Sequence, residues 1–291
     1  MGIRDRIRNS KREIAGRVLA YGPEGIGKST WASNAPNPIF IGCEDGLNQL
    51  DVPLFRPESF PDVCAFLDDL AGNGHDYQTV IVDTVDWLET LVHSYLKEIH
   101  GWDSIEKPGY GKGYAMAAEE LRKMITKLDA LHNADIAVIL LAHSHIKIFS
   151  NPVGEDYSRY ELKMHRTSAA LLKEWVDAVL FLTAYEWVDD NGKAKSDGRR
   201  VIYTERQAAW DAKNRFSLPA VLPLDYDDYL AAKKAGSPKP ATDLLVEFLE
   251  LLAQLGEDHP RYTKAKEFAS TNKANGRKLA EGLSLLRSVT Q

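Results

Sequence analysis

Cysteine is almost missing from this 291-residue chain: Cys43 and Cys64 are the only two. So few thiols cannot staple a domain of this size, and two buried free thiols in a reducing compartment are expected rather than a disulfide. Long apolar runs are missing too. The longest, Ile136–Ala142, falls well short of the roughly 20 residues that span a bilayer and suits a buried strand. The basic N-terminal residues lead into no apolar region, so no signal peptide is expected, nor a membrane partner, and the expected address is cytoplasmic. Positive charge is not in excess either. With 36 Lys and Arg against 42 Asp and Glu, the net charge of −6 argues against coating nucleic acid over the whole surface.

What is present is unevenly placed. Residues 1–17 carry Arg4, Arg6, Arg8, Lys11, Arg12 and Arg17 against only Asp5 and Glu13. The stretch 191–215 is basic, and so is the chain after Pro260. Such local surfaces permit nucleic-acid contact, although solvated faces of ordinary elements carry the same composition.

Apolar runs alternate with longer helical patterns, which predicts an α/β fold with a mostly parallel central sheet flanked by helices. Strands are expected at Gly16–Tyr21, Pro38–Gly42, Thr79–Asp83, Ile136–Ala142, Ala178–Ala184 and Val201–Thr204, with Ala208–Ala212 a further candidate. Helices are expected at Ser29–Ser33, Pro61–Ala71, Val85–Ile99, Ala115–His132 and Thr167–Trp175. Two segments break the rhythm. Ile99–Tyr114, rich in glycine and aromatics, predicts a mobile loop, and Ile146–Arg166 predicts a long polar loop between a strand and a helix. Ala235–Ala241 reads as a linker, followed by helical patterns at Thr242–Leu255 and Tyr262–Ser288. The expected organisation is a basic N-terminal segment over 1–15, a core over 16–235, and a linker with a small C-terminal helical appendage over 236–291.

The chemistry starts at Gly22-Pro23-Glu24-Gly25-Ile26-Gly27-Lys28-Ser29-Thr30. This Gly-x-x-x-x-Gly-Lys-Ser pattern lies between an apolar strand and a helix, where a phosphate loop belongs. Its glycines let backbone N–H groups turn toward a β-phosphate, and the helix start adds partial positive charge. Lys28 reaches the β/γ oxygens, and the Ser29 hydroxyl ligates Mg²⁺. Chance produces the pattern in roughly one chain of this size per hundred. Tyr77–Asp83 is an apolar strand ending in a carboxylate, which places Asp83 beside that loop as a holder of the Mg²⁺ shell. ATP and Mg²⁺ are thus the expected cofactors. Thr84 stands where many ATPases keep a water-activating acid, so another carboxylate must serve. Glu44, ending the strand at Pro38–Gly42, is the candidate, with Asp45 as neighbour and alternative.

Gly22–Thr30, Ile41-Gly-Cys-Glu44 and Val80-Ile-Val-Asp83-Thr84 together resemble the RecA core. The resemblance implies that Glu44 activates the attacking water. His143, in Leu140-Leu-Ala-His143-Ser-His-Ile-Lys147, falls where RecA proteins carry a Gln that senses the γ-phosphate and opens the second DNA-binding loop. Asp211-Ala-Lys213-Asn-Arg215 is similar to the segment that contacts ATP on a neighbouring subunit, implying that Lys213 and Arg215 act in trans. With Gly109-Tyr-Gly-Lys-Gly-Tyr114 and Lys213-Asn-Arg-Phe-Ser-Leu-Pro219, the fuller match is to phage-encoded minimal RecA-like ATPases that include single-strand annealing proteins, which places the chain in host cytoplasm. It implies a DNA-facing first loop offering Lys107, Tyr110, Lys112 and Tyr114, and a second offering Lys147, Arg159, Lys163 and Arg166. Cations would track phosphates while rings stack on bases. Implied partners are single-stranded DNA, further copies of the chain in a ring or filament, and a single-strand-binding protein.

His143, His145 and His165 lack the fourth close ligand that a zinc site needs. Trp102, in the first loop, is the one tryptophan placed to stack on a base. The expected function is an ATP-dependent, DNA-stimulated recombination protein that anneals or pairs strands. A helicase-type motor and a nucleotide-gated scaffold with little hydrolysis are the alternatives.

Overall fold

Alternating side-chain parity turns the apolar runs into a sheet with two buried faces. The computed structural model describes residues 16–72, 74–189 and 191–236, and beyond them 245, 248, 249, 251–253, 262–272, 278, 279, 282, 283 and 286. In β1 (Arg17–Gly22), Leu19 and Tyr21 point to one core while Val18 and Ala20 point to the other. β2 (Pro38–Gly42), β3 (Leu54–Phe55), β4 (Thr79–Asp83) and β5 (Ala137–Phe149) pair in parallel with their neighbours. So does β7 (Ala178–Val188) with β1, whereas β8 (Ala194–Tyr203) and β10 (Val221–Pro223) close that edge antiparallel. The order is β10-β8-β7-β1-β5-β4-β2-β3, with β6 (Tyr157–Leu162) on β5 and β9 (Lys213–Asn214) on β7.

Helices α2 (Phe60–Leu70), α3 (Val85–His100), α4 (Lys112–Asn133) and α5 (Arg166–Trp175) cover the first face. The short α1 (Lys28–Ser33) and α6 (Tyr226–Gly236) supply Trp31, Tyr226 and Tyr229 to the second. Local sequence explains the helix ends. Ser59 and Asp62 form a reciprocal capping box at α2, and Gly101 takes the left-handed conformation that ends α3. Two glycines are required by close approach: a Cβ on Gly22 would lie 2.1 Å from the Leu182 carbonyl oxygen, and one on Gly113 1.8 Å from that of Ile105.

Several expectations change. The segment 146–166 is not an irregular loop. β5 runs on to Phe149 and pairs antiparallel with β6 from Ser144↔Leu162 to Phe149↔Tyr157. Alternation of Ile146 and Ile148 with Lys147 carries the strand past its buried part, and residues 150–156 form only the turn. The segment 99–114 is shorter than expected: hydrogen-bonded turns occupy 101–111, and Lys112 and Tyr114 already belong to α4. β7 and β8 extend beyond their expected limits into a hairpin bulged between Ala184 and Glu186. Ala208–Ala212 is no strand and contributes one isolated bridge from Trp210 to Tyr160.

The chain divides into two compact units after Lys233. In the second, α7 (Tyr262–Asn272) contributes Ala269 to a cluster with Phe248, Leu252, Leu279, Leu283 and Leu286. The expected N-terminal segment 1–15, and the linker from residue 237 onward, lie outside the described residues.

Phe181, 1% exposed, stands 5.1 Å from the Tyr21 ring, 5.0 Å from Tyr160 and 5.6 Å from Trp210. Phe181→Ala is expected to cost about 3–5 kcal/mol, read as a lower urea midpoint at unchanged slope.

Candidate active site

Four adjacent parallel strands, β1, β5, β4 and β2, deliver polar groups to one edge of the sheet. β1 ends at Gly22, in register with His143 of β5; Asp83 ends β4, in register with Gly42, two residues before Glu44. Topology gathers residues separated by up to 121 positions (143 − 22) at the carboxyl ends of the strands, where open α/β sheets bind ligands.

The loop from Gly22 to Lys28 turns back through Gly25 at φ 72° and Gly27 at φ 108°, a region that glycine enters freely. Lys28 is buried and its Nζ donates to the carbonyls of Gly22 (3.2 Å) and Pro23 (3.0 Å). Burial pulls this ammonium below its ordinary pKa, against the opposite pull of Asp83 and Glu44. An incoming polyphosphate would relieve that cost by pairing with it. The Ser29 hydroxyl donates to Asp83 Oδ2 at 2.6 Å. The other oxygen, Asp83 Oδ1, is buried with no hydrogen-bond partner, and burial pushes the carboxyl pKa up despite Ser29 and Lys28. A hard oxygen-seeking cation with its water shell fits a hydroxyl and an orphaned carboxylate oxygen of this kind.

Glu44 lies across this edge from His143, with Oε1 3.7 Å from the imidazole Nε2. Burial raises the Glu44 carboxyl while the imidazole draws it down. Behind the imidazole stands Asp86, a residue that local sequence gives no reason to single out beyond its place in the first turn of α3. Its Oδ1 accepts from the His143 backbone N–H at 3.0 Å, and its Oδ2 lies 2.8 Å from Nδ1. Burial works against its charge, yet the His143 hydrogen bonds hold Asp86 below the usual carboxylate range. Three residues on, buried Glu89 accepts the backbone N–H of His165 at 2.9 Å. α3 thus holds both feet of the β5–β6 hairpin. Arg200 of β8 is a second unexpected neighbour: its Nη1 donates to the Ile26 carbonyl at 3.1 Å, adding positive charge to the loop. Only the β7–β8 pairing brings it there.

Other expected residues are placed differently. Lys213 turns inward, and its Nζ donates to the carbonyls of Lys173 (3.0 Å), Glu174 (2.8 Å) and Val176 (2.5 Å) at the end of α5. A cation spent on orphan helix carbonyls is not free to reach a neighbouring copy. Arg215 stays exposed, 3.7 Å from Asp177. Both lie near the amino end of β7, on the opposite side of the sheet from Gly22.

Arg159 is 4% exposed; it donates to the Trp210 carbonyl and stacks over Phe149, so it cannot offer charge to a DNA backbone. Lys163 pairs with Glu24 of the glycine loop at 3.4 Å. Lys107 pairs with Asp103 at 3.3 Å, while Lys112, Lys147 and Arg166 are exposed. Tyr110 is fully exposed; Tyr114 donates to Glu106 and stacks on His165 at 4.0 Å, which joins the two expected DNA-facing segments. Trp102 is partly buried and stacks on His100. Cys43 and Cys64 are free and half-buried, with burial pushing the Cys43 thiol up to about 12. Among the described residues no His, Cys, Asp and Glu cluster is arranged to hold a metal by itself, and no helix is long and apolar enough to cross a membrane.

A phosphate-loop pattern on an α/β sheet with its acids at the strand ends defines a P-loop, ATPase-like nucleotide-binding domain. A family model described as an AAA domain (AAA_24) matches residues 15–216, and the chain belongs to that family. It is also 25% identical over 202 residues to the SPbeta prophage-derived uncharacterized protein YorG of Bacillus subtilis (strain 168). That similarity covers 67% of this chain and 59% of the relative, so the chain spans about three-fifths of YorG.

Two substitutions separate stability from nucleotide handling. Asp83→Asn keeps an acceptor for Ser29 and removes a buried charge. It is expected to raise the melting temperature by roughly 2–4 °C without nucleotide, and to abolish the further rise on adding ATP with Mg²⁺. Lys213→Met should cost about 1–2 kcal/mol in urea while leaving the affinity for a fluorescent ATP analogue unchanged.

Proposed function

We propose that this protein is a RecA-like, Mg²⁺-dependent ATPase that binds single-stranded DNA and promotes annealing or pairing of strands as an oligomer. One observation carries the reading. α3, which follows directly on Asp83, ties the nucleotide edge to the β5–β6 hairpin through Asp86–His143 and Glu89–His165. A contact made or lost near Glu44 and His143 is therefore a contact at the root of a projecting arm. Exposed Lys147 lies on that arm, Arg166 opens the helix behind it, and Tyr114 stacks on its far foot. Cations beside a stacked ring suit single strands. The similarity to a prophage protein supports a phage origin and work in host cytoplasm.

In this reading the loop 22–28 wraps the β-phosphate and Lys28 leaves its two carbonyl contacts for the β/γ oxygens. Ser29 and Asp83 hold Mg²⁺, which when bound would neutralise phosphate charge. Glu44 orients the attacking water and takes its proton; the bond from the γ-phosphorus to the bridging oxygen breaks, releasing ADP and phosphate. Arg215 is the exposed cation left to complete a neighbour's site once Lys213 is committed to α5.

Hydrolysis is expected to be slow alone, stimulated by single-stranded DNA, and lost on chelation of Mg²⁺. Glu44→Gln should lower kcat at least about 100-fold while ATP-analogue binding persists. ATPase rates with and without DNA, together with DNA binding at low salt in ATP, check this. A rate indifferent to DNA with no DNA binding would sink the recombination reading. Strand unwinding would favour a motor, and negligible hydrolysis unaltered by Glu44→Gln a scaffold.

A further inference from the structure

Nothing in a P-loop site requires a histidine fixed at both ends, yet His143 is. It is 7% exposed, its main-chain N–H is bonded to Asp86 Oδ1, and its ring lies between Asp86 at 2.8 Å and Glu44 at 3.7 Å. The two Asp86 oxygens serve different groups of one residue. Oδ1 is taken by the backbone, which sets the carboxylate plane and turns Oδ2 toward Nδ1. A carboxylate accepts and does not donate, so the Nδ1 that faces one within hydrogen-bond distance must carry the hydrogen; Glu44 Oε1, at 3.7 Å, lies beyond that reach and makes no such demand on Nε2. The Asp86 side chain is 7% exposed, so water is a poor competitor for that bond.

We propose that Asp86 is a positioning residue that fixes His143 with its hydrogen on Nδ1, leaving Nε2 facing Glu44 as a second acceptor at the reacting edge. The kinetic part rests on the ATPase reading; the placement of the hydrogen does not. When water attacks the γ-phosphorus and the bond to the bridging oxygen breaks, one water proton must leave. Glu44 takes it, and Nε2, on the far side of the same carboxylate, shares it while phosphate and ADP depart. No other reactant is needed. A ring free to turn, or protonated on Nε2 instead, would present a donor to Glu44 and occupy the oxygen that the water needs. Both side-chain hydrogen bonds of Asp86 to His143 define its positioning role; its charge also supports the buried Lys28 ammonium, an effect that the KM for ATP reads separately.

The test combines nitrogen NMR of labelled histidine side chains with steady-state kinetics on the full chain. The His143 resonances are those that vanish in His143→Gln, and in the wild type Nδ1 is expected to be protonated. Asp86→Asn places an amide N–H₂ opposite the ring and should move the hydrogen to Nε2. Its kcat should fall on the order of 10- to 100-fold, with KM for ATP within about threefold. His143→Gln should fall comparably, and adding Asp86→Asn to it should cost nothing further, because the second residue works through the first. An unprotonated Nδ1 in the wild type overturns the proposal. So does a swapped hydrogen with kcat within about twofold, or single losses that multiply in the double variant. If Asp86→Asn fails to bind a fluorescent ATP analogue, the wild-type Nδ1 resonance decides the placement. If the wild type hydrolyses no ATP, the ATPase reading falls while that resonance still decides what Asp86 does.

Discussion

A 2.6 Å hydrogen bond from Ser29 to Asp83 joins the glycine loop to the next strand but one, and the site is arranged around the charge it leaves half satisfied. Asp83 is 1% exposed and Lys28 6% exposed, so neither ion is solvated by bulk water. Lys28 is compensated by Asp83, Glu44 and Asp86, and Asp83 by Ser29, Lys28 and His143, with the like charge of Asp86 working against it. Burial leaves the Asp83 charge under-compensated, and the set is poised for a ligand that brings phosphate charge and a cation together. The two apolar faces of the sheet supply the rigidity that keeps these charges at fixed separations.

From that edge the structure reaches outward through α3. Its first turn starts immediately after Asp83, and the spacing of Asp86 and Glu89 puts both carboxylates on one side of the helix. They receive the backbone N–H groups of His143 and His165, residues that bracket the hairpin. Since these are main-chain bonds, the position of the hairpin is tied to α3 whatever side chains the arm displays. Lys163, paired with Glu24, adds a weaker, solvent-screened link from the hairpin to the glycine loop.

Residues legible from sequence were those whose role is local. Gly25 and Gly27 announce a left-handed turn, and Lys28 and Ser29 follow at the spacing that the turn requires. Asp83 ends an apolar strand. Misread residues were those whose role is set by a distant partner. Arg159 looks like an exposed cation until β6 pairs with β5 and carries it under Phe149 and Trp210. Lys213 sits in a basic stretch, but β9 places it against the carbonyls that end α5. The 146–166 segment reads as polar loop because its hairpin fully buries only Arg159 and Leu162, too few positions to demand a long apolar run.

The sequence by itself determined the α/β alternation, the phosphate-loop pattern and the acid at the end of β4, because short-range periodicity and turn chemistry need no partner. It also marked Glu44 and His143 as polar residues at strand ends. Tertiary structure alone decided that these two face each other at 3.7 Å, that Asp86 stands behind the imidazole, and that Arg200 reaches Ile26. Those contacts follow from strand order and from the turn of α3 after β4. A hydrogen bond between residues 57 positions apart leaves no trace in the local sequence of either.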